Sequence, residues 1–256
     1  MRLGLIIEYE GTNYNGFQYQ INAPSIQEEI ETAIKKLTGE TLRLQAAGRT
    51  DAGVHAKGQV IAFNTMSAHN PEVFTDALNF YLPFDIAIRS AYITNDNFDP
   101  RRDALSRQYR YTILQRPTRL PLQRNTTHHI RSSLDVNQMR EAMSLFIGLH
   151  DFSQFSAPPT DPCANTQRYI YDASIQESDD VLEFYIMGNA FLTHQVRRMV
   201  GAIVAIGRKV LSLDQYKIIL GGGTSNMIAH SLPSKGLCLM SVAYTDFPPE
   251  VGENNE

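Results

Sequence analysis

Residues 47–56 hold more chemically active side chains than any other stretch of this 256-residue chain. The run Ala-Gly-Arg-Thr-Asp-Ala-Gly-Val-His-Ala places the carboxylate of Asp51, the guanidinium of Arg49 and the imidazole of His55 among small residues. A carboxylate of this kind can serve in catalysis when a guanidinium holds it in its charged form. The alternative is that Asp51 only closes a turn onto backbone N–H groups, as loop aspartates commonly do. The residue types alone leave both interpretations open.

The apolar pattern on either side predicts that this run is a loop between two strands. Residues 41–46 alternate as a half-buried strand does, and residues 59–63 form an apolar run of strand length. Gly48 and Gly53 allow backbone angles that a side chain would forbid. We therefore expect a tight loop that presents Asp51 at its tip.

The chain around this loop predicts two series of strands and helices. The first series has strands at 2–9, 41–46, 59–63 and 86–93, a helix that runs from the Ser25–Glu28 capping box to Gly39, and a helix at 71–82. This order is that of a ferredoxin-like unit. The second series has strands at 109–114, 169–175, 181–187 and 237–244, and helices at 134–146, 192–208 and 214–220. In the helix at 192–208, Arg197 lies on the border of the apolar stripe, where a charge needs a partner or reaches to water.

Composition indicates a globular protein and excludes several classes of function. The chain is 43% hydrophobic with a net charge of −4, and its longest apolar helix candidate, near residues 199–206, is far below the roughly 20 residues that span a bilayer. The N-terminal apolar run is too short for a signal peptide, so we predict a cytoplasmic protein with no membrane partner. Cys163 and Cys238 and the seven histidines show no metal-ligand spacing, and we predict no metal site.

The basic residues gather in one stretch of an otherwise acidic protein. Between residues 101 and 131 there is a single acid, Asp103, and eight arginines: Arg101, Arg102, Arg107, Arg110, Arg116, Arg119, Arg124 and Arg131. Tyr109 and Tyr111 lie among them. Guanidinium groups and aromatic rings suit phosphates and base faces, so this stretch favours a nucleic-acid partner over the alternative of a solvated face.

Four blocks of the sequence resemble the TruA family of tRNA pseudouridine synthases. The likeness runs from about Leu3 to Tyr244. The blocks are Tyr9-Glu10-Gly11-Thr12 with Tyr14, Gly16, Phe17 and Gln18; Gly48-Arg49-Thr50-Asp51-Ala52-Gly53-Val54-His55; Arg107 with Tyr109-Arg110-Tyr111; and Phe191-Leu192 with Val196-Arg197, Met199-Val200 and Gly201.

The resemblance implies an α+β fold of two ferredoxin-like halves whose strands form one continuous, mainly antiparallel sheet, with helices packed on it and a central active-site cleft. We expect an N-terminal half over residues 1–100, a C-terminal half over 101–246 and an acidic, disordered tail over 247–256. The resemblance also implies a homodimer that binds the anticodon arm of tRNA. It implies an isomerase that converts uridine to pseudouridine at positions 38, 39 and 40 without a cofactor, because the reaction conserves atoms.

The resemblance further assigns roles to single residues. It makes Asp51 the catalytic aspartate, Tyr109 the tyrosine against the flipped base and Arg197 the partner of the Asp51 carboxylate. Arg49 would help to flip the base, and Leu237 would form part of an apolar wall. We add Arg107 and Arg110 as substrate-binding residues.

The sequence departs from the family pattern at a few positions. Asp99-Pro100 stands where His-Ala usually follows the Phe of a Phe-x-x-Arg block, and Leu232 replaces a small residue. These departures concern substrate contacts rather than the proposed catalytic set. Two other functions stay open: a catalytically silent tRNA-binding protein, and a metal-assisted hydrolase built on Asp51, His55 and His150. We interpret His55 as structural.

Overall fold

A computed structural model describes residues 1–158, 163–223 and 230–249. These residues form ten strands, paired mainly antiparallel, and five α-helices, so the predicted α+β class is confirmed. The chain divides into two compact units. The first consists of Met1–Ser106 with the C-terminal chain from Leu239, and the second of Arg107–Cys238.

The predicted elements occur in the predicted order along the chain, together with two short strands, His128–Ile130 and Gly148–Asp151, that were not predicted. The first series is β1 (Arg2–Tyr9), α1 (Ile26–Thr38), β2 (Gln45–Ala46), β3 (His55–Asn64), α2 (Pro71–Tyr81) and β4 (Ile86–Thr94). The second series is β5 (Ser106–Gln115), β6 (His128–Ile130), α3 (Val136–Ser144), β7 (Gly148–Asp151), β8 (Gln167–Ser178), β9 (Val181–Gly188), α4 (Gln195–Gly207), α5 (Leu213–Leu220) and β10 (Leu237–Ala243).

The strands of the first unit have the order of a ferredoxin-like sheet, β4-β1-β3-β2. Strand β1 is antiparallel to both β3 and β4, so that Leu5 lies opposite Ile61 on one side and Ala91 on the other. Strand β10 also lies beside β3. The predicted order of strands and helices in this half is therefore confirmed.

Helix α1 begins and ends at the residues that the sequence indicates. The Ser25 hydroxyl accepts a hydrogen bond from the Glu28 N–H at 3.3 Å, and Gly39 adopts the left-handed conformation with φ of 77°. Ile26, Ile30 and Ile34 point inward and are buried. Local capping and a helical apolar stripe were sufficient to locate this helix.

The strand predicted over 41–46 is wrong for its first four residues. Of the residues 41–46, only Gln45 and Ala46 pair with β3. The chain before them is held by a side chain of α1 instead, because the Glu31 carboxylate accepts from Leu44 N at 3.2 Å and from the Arg43 guanidinium at 2.7 Å. The following strand begins at His55 rather than at residue 59.

Phe247, at which the predicted tail begins, lies in the core of the first unit. Its ring is 5% exposed and stacks on Phe98 with the ring centroids 5.0 Å apart. Ala47, Val60 and Ala62 complete this cluster. The chain therefore stays packed at least to this residue, and residues 250–256 of the predicted tail lie outside the described residues. The two units also meet at residue 106 rather than 100, and the chain from Leu239 belongs to the first.

The second unit orders its strands β5-β9-β8-β7 in antiparallel pairs, with β6 parallel to β5. Helix α4 begins at Gln195, three residues after the predicted start, because His194 has φ of 63° and the Gln195 side chain accepts from Leu192 N at 2.8 Å. Its predicted inner face is confirmed, since Val196 and Met199 are buried. Across the described ranges, no helix has the length and apolar character to cross a membrane.

Candidate active site

The loop that carries Asp51 is held by backbone hydrogen bonds to a neighbouring segment. Phe17 N donates to Thr50 O at 3.1 Å, and Gly53 N donates to Tyr14 O at 3.3 Å. Within the loop, Val54 N donates to Asp51 O at 3.1 Å. These bonds involve main-chain atoms, so the path of the loop is fixed without the Asp51 side chain.

Two glycines allow that neighbouring segment to approach the loop closely. A Cβ atom on Gly11 would lie 2.0 Å from Val54 O, far inside any allowed contact. Gly16 has φ of 100°, and a Cβ there would lie 2.8 Å from Thr50 O. Gly48, within the loop, differs because an added Cβ would meet nothing within 4 Å. The close packing therefore depends on the glycines that face the loop.

Buried side chains beneath the loop are hydrogen-bonded. The Tyr9 hydroxyl lies 2.8 Å from Thr50 Oγ1. His55 is 6% exposed, and its Nδ1 accepts from Gly11 N at 3.0 Å, so this nitrogen carries no proton. This geometry supports the structural interpretation of His55. Among the residues that the structure describes, no group of three or more His, Cys, Asp or Glu side chains is arranged to hold a metal ion.

Side chains alternate between the inside and the outside at the tip of the loop. Thr50 is buried, whereas Arg49 is exposed and Asp51 is partly exposed. The arrangement presents a carboxylate and a guanidinium on a rigid support. Such a support holds a reacting group in place, so that no free energy is lost to reorganisation at the moment of reaction. Of the two loop glycines, Gly53 has φ of 73° as predicted, whereas the prediction is wrong for Gly48, whose φ is not positive.

Strand β5 of the second unit carries the two tyrosines. Tyr109 and Tyr111 lie on the same face because side chains two apart in a strand share a face. The Tyr109 ring meets the edge of Phe191, with the centroids 5.2 Å apart and the planes at 85°. Tyr111 is fully buried and donates to Pro233 O at 2.8 Å, and burial raises the pKa of its hydroxyl. Tyr109 is partly exposed, so it is the tyrosine that a ligand can reach.

Arg197 is anchored by the chain that precedes β10. Its Nε donates to Leu232 O at 2.7 Å, and Leu232 N donates to Arg197 O at 3.3 Å. The positive charge lies close enough to Tyr111 to act on that hydroxyl. The bond from Nε fixes the guanidinium plane, whose forked N–H groups match the geometry of a carboxylate.

The remaining predicted residues of the second unit are engaged within the protein. Arg107 Nη1 donates to Asn189 O at 2.7 Å. Arg110 forms an ion pair with Glu183 at 3.1 Å. Leu237 is 6% exposed at the start of β10. Thus Arg107, Tyr109, Arg110, Arg197 and Leu237 belong to one unit, whereas Arg49 and Asp51 belong to the other.

The arginine-rich stretch is less uniformly basic than its sequence suggests. Arg102 pairs with Asp99 at 3.0 Å, and Arg116 pairs with Asp180 at 3.7 Å. Arg124 donates to a backbone carbonyl at 3.1 Å. Acids that lie outside this stretch in sequence neutralise part of it in the fold.

The sequence analysis missed a pocket beside the Asp51 loop. The pocket has a volume of about 280 Å³ and is lined by Phe17, Gln18, Gln27, Leu44, Gln45, Ala46, Gly48, Arg49, Asp99 and Arg101. Its walls come from four separate segments of the first unit, so no local pattern indicates it. The available signal was that two pairs of its lining residues, Phe17 with Gln18 and Gly48 with Arg49, belong to two of the recognised blocks.

The chain is similar in sequence to a known family of proteins. A family model described as tRNA pseudouridine synthase matches residues 5–101 and 142–245. The matched segments include Arg49, Asp51, Arg197 and Leu237, whereas Tyr109 and its neighbours lie between them.

Relatives match over nearly the whole chain. The tRNA pseudouridine synthase A of Geotalea daltonii is 41% identical over 94% of this chain and 98% of its own length. The enzyme of the same name from Geotalea uraniireducens is 40% identical over 95% and 99%. That of Myxococcus xanthus is 38% identical over 97% and 94%.

Proposed function

Since this chain belongs to the tRNA pseudouridine synthase family, we propose that it converts uridine to pseudouridine in the anticodon arm of tRNA, at positions 38, 39 and 40, with Asp51 as the catalytic carboxylate. The observation that carries the proposal is the rigid loop that presents Asp51, within a sequence block that the family model matches.

The reaction is an isomerisation. The bond between C1′ of the ribose and N1 of uracil breaks, the base turns, and C1′ bonds to C5. C5 then gives up its proton, and N1 takes one up. No atom is gained or lost, so the chemistry requires positioned side chains rather than a cofactor. The target base must leave its stack to reach them, and this extrusion requires a pocket and a residue to take its place.

Asp51 fits the role of the carboxylate that acts at the ribose or the uracil ring. Its backbone is fixed by the bonds at Thr50 and Val54, and its side chain is partly exposed. A carboxylate in such a position is stabilised by a paired cation that also orients it. The resemblance assigns this role to Arg197, whose guanidinium plane is set by the bond to Leu232 O.

Tyr109 and Arg49 fit the handling of the flipped base. The Tyr109 ring is steadied edge-on by Phe191, which favours stacking on a uracil face, and its hydroxyl can assist removal of the C5 proton. Arg49 is exposed at the start of the loop and can fill the space that the base vacates. Leu237 would supply apolar surface, and Arg107 and Arg110 would contact the substrate.

The resemblance also implies a homodimer and a cytoplasmic location, where the tRNA substrate is found. We retain both as predictions. A homodimer predicts twice the monomer mass in solution at micromolar protein concentration.

The proposal is tested by mapping pseudouridine base by base in tRNA transcripts incubated with the protein. Transcripts in which uridine 38, 39 or 40 is replaced singly by cytidine should lose product at the replaced position alone. Absence of pseudouridine from wild-type reactions, despite tRNA binding, would favour the catalytically silent binding protein.

Two adjacent arginines provide matched variants for this experiment. Arg197→Lys removes the paired N–H groups of the guanidinium that we propose bind the Asp51 carboxylate. We expect kcat to fall by about 10- to 100-fold. Arg198→Lys changes a neighbouring arginine that donates to Ser156 O at 2.7 Å, and kcat should change less than about threefold. Equal losses in the two variants would refute the assigned role of Arg197.

A further inference from the structure

The pocket beside Arg49 has the composition of a nucleotide site. Its floor is apolar, formed by Phe17, Leu44 and Ala46. Its rim carries the amides of Gln18 and Gln45 and the guanidinium groups of Arg49 and Arg101, all of which can donate to an anion. A volume of about 280 Å³ lies at the lower end for ligand pockets and suits one nucleotide rather than a duplex.

A structured turn holds Arg101 at this rim. The Asp99 carboxylate accepts from the N–H groups of Arg101 at 2.9 Å and Arg102 at 3.0 Å. Asp99 N in turn donates to the Asp103 carboxylate at 2.7 Å. The Tyr244 hydroxyl donates to Pro100 O at 2.7 Å. The Asp99-Pro100 pair, which departs from the family pattern, therefore builds a closed turn that fixes the backbone of Arg101.

The same turn offsets the negative charge that Asp99 brings to the pocket. Its second oxygen pairs with Arg102 Nε at 3.0 Å. Burial tends to raise the pKa of Asp99, but hydrogen bonds from the N–H groups of Arg102 and Arg101 hold that pKa below its usual value. The carboxylate is thus satisfied by the turn, and Arg49 and Arg101 bring positive charge to the rim.

Gln45 is oriented by a buried arginine. Arg2 is 8% exposed, and its guanidinium donates to Phe98 O at 2.7 Å and to Gln45 Oε1. Because the Oε1 of Gln45 accepts from Arg2, its NH₂ group lies on the other branch of the amide. The Gln45 amide is therefore held with its oxygen bonded inside the protein. Its NH₂ group is the part that can donate to a ligand.

From this donor-rich rim and apolar floor, we propose that the pocket binds one nucleotide of the substrate RNA close to the target uridine, with its phosphate at Arg101 and Gln45. Arg49 lines the pocket two residues before Asp51, so an RNA strand that occupies it passes next to the catalytic loop. This inference rests on the proposed function, because it takes the ligand to be the RNA that Asp51 acts on.

The test is a scan with methylphosphonate linkages, which remove the charge of one phosphate at a time. Binding of wild type to a tRNA transcript with the neutral linkage should weaken about tenfold at one or two positions near the target uridine. Arg101→Gln should bind the unmodified tRNA about tenfold more weakly, with a salt slope lower by about 1, and should be insensitive to the same linkages. Arg89→Gln is the matched control, because this exposed arginine of the same unit does not line the pocket, and it should keep the sensitivity of the wild type.

The outcomes separate this inference from the proposed function. If no linkage distinguishes wild type from Arg101→Gln, or if Arg89→Gln behaves as Arg101→Gln does, the inference is overturned. Competition by uridine monophosphate without any linkage effect would overturn it in favour of a site for a free nucleotide. Because binding is measured apart from turnover, a linkage effect without pseudouridine would refute the proposed function alone.

Discussion

The two units support their proposed site residues in different ways. In the first, main-chain bonds at Thr50 and Gly53 and the close approach of Gly11 hold the Asp51 loop. In the second, single side chains reach to backbone carbonyls: Arg197 to Leu232 and Tyr111 to Pro233. A main-chain scaffold leaves no room for an added atom, whereas a side-chain anchor is sensitive to the loss of one polar atom. Different substitutions should therefore reduce stability or activity in the two regions.

Gly11→Ala should have the largest effect on stability. The new Cβ would lie 2.0 Å from Val54 O, and backbone must move to relieve the clash. We expect a loss of about 3 kcal/mol or more in the free energy of unfolding, measured by denaturant titration. Gly48→Ala is the matched control in the loop itself, where an added Cβ meets nothing within 4 Å, and should change stability by less than about 0.5 kcal/mol. Equal losses would contradict the account of the main-chain scaffold.

The second comparison removes one hydroxyl from each unit. Tyr9→Phe and Tyr111→Phe should each reduce the free energy of unfolding by about 1 to 2 kcal/mol, because each leaves a buried partner unsatisfied. Their effects on kcat should differ. The Asp51 loop keeps its main-chain bonds in Tyr9→Phe, so kcat should fall less than about threefold, whereas release of Pro233 in Tyr111→Phe shifts the anchor of Arg197 and should lower kcat about tenfold. A larger kcat loss in Tyr9→Phe would reverse the comparison.

A smaller, pH-dependent effect should arise in the second unit alone. Burial, followed by the charges of Lys235 and Arg208, lowers the pKa of His128 to about 4. The unfolded chain therefore binds a proton near pH 6.5 that the folded chain takes up only near pH 4. This contribution to stability is complete above pH 6.5 and is lost as the pH falls toward 4. Allowing for solvent screening, we expect about 1 kcal/mol.

His128→Gln isolates that contribution. Melting temperatures measured between pH 7 and pH 4 should fall less steeply for the variant than for wild type, because glutamine takes up no proton. Curves of equal slope would show that another group is responsible for the loss of stability.

The parts of the fold that could be predicted from sequence are those set by local chemistry. The Ser25 cap, the left-handed Gly39 and the inner face of α4 depend on residues close together in the chain. The position of the Asp51 loop in the chain was indicated by its own residues, whereas the bonds that hold it come from residues 14–17. The errors come from distant contacts. Arg43 and Leu44 bond to Glu31 instead of β3, and Phe247 packs on Phe98.

The same division applies to the candidate site. The types and spacing of residues 48–55 indicate the Asp51 loop. Sequence spacing does not indicate that Arg110 pairs with Glu183, or that Gln45 and Arg101 line one pocket with Arg49. These arrangements depend on strand register and on turns that bring separate segments together.

The central claim is that the fixed loop carries the catalytic carboxylate, and Asp51→Asn tests it most directly. Wild type, Asp51→Asn and the exposed control Asp96→Asn would be incubated with tRNA transcript, chelator and no cofactor, with pseudouridine mapped and tRNA binding measured in parallel. We predict anticodon-arm product from wild type and Asp96→Asn, a rate at least about 10³-fold lower for Asp51→Asn, and binding within about threefold for all three. Product from Asp51→Asn at the wild-type rate would contradict the account.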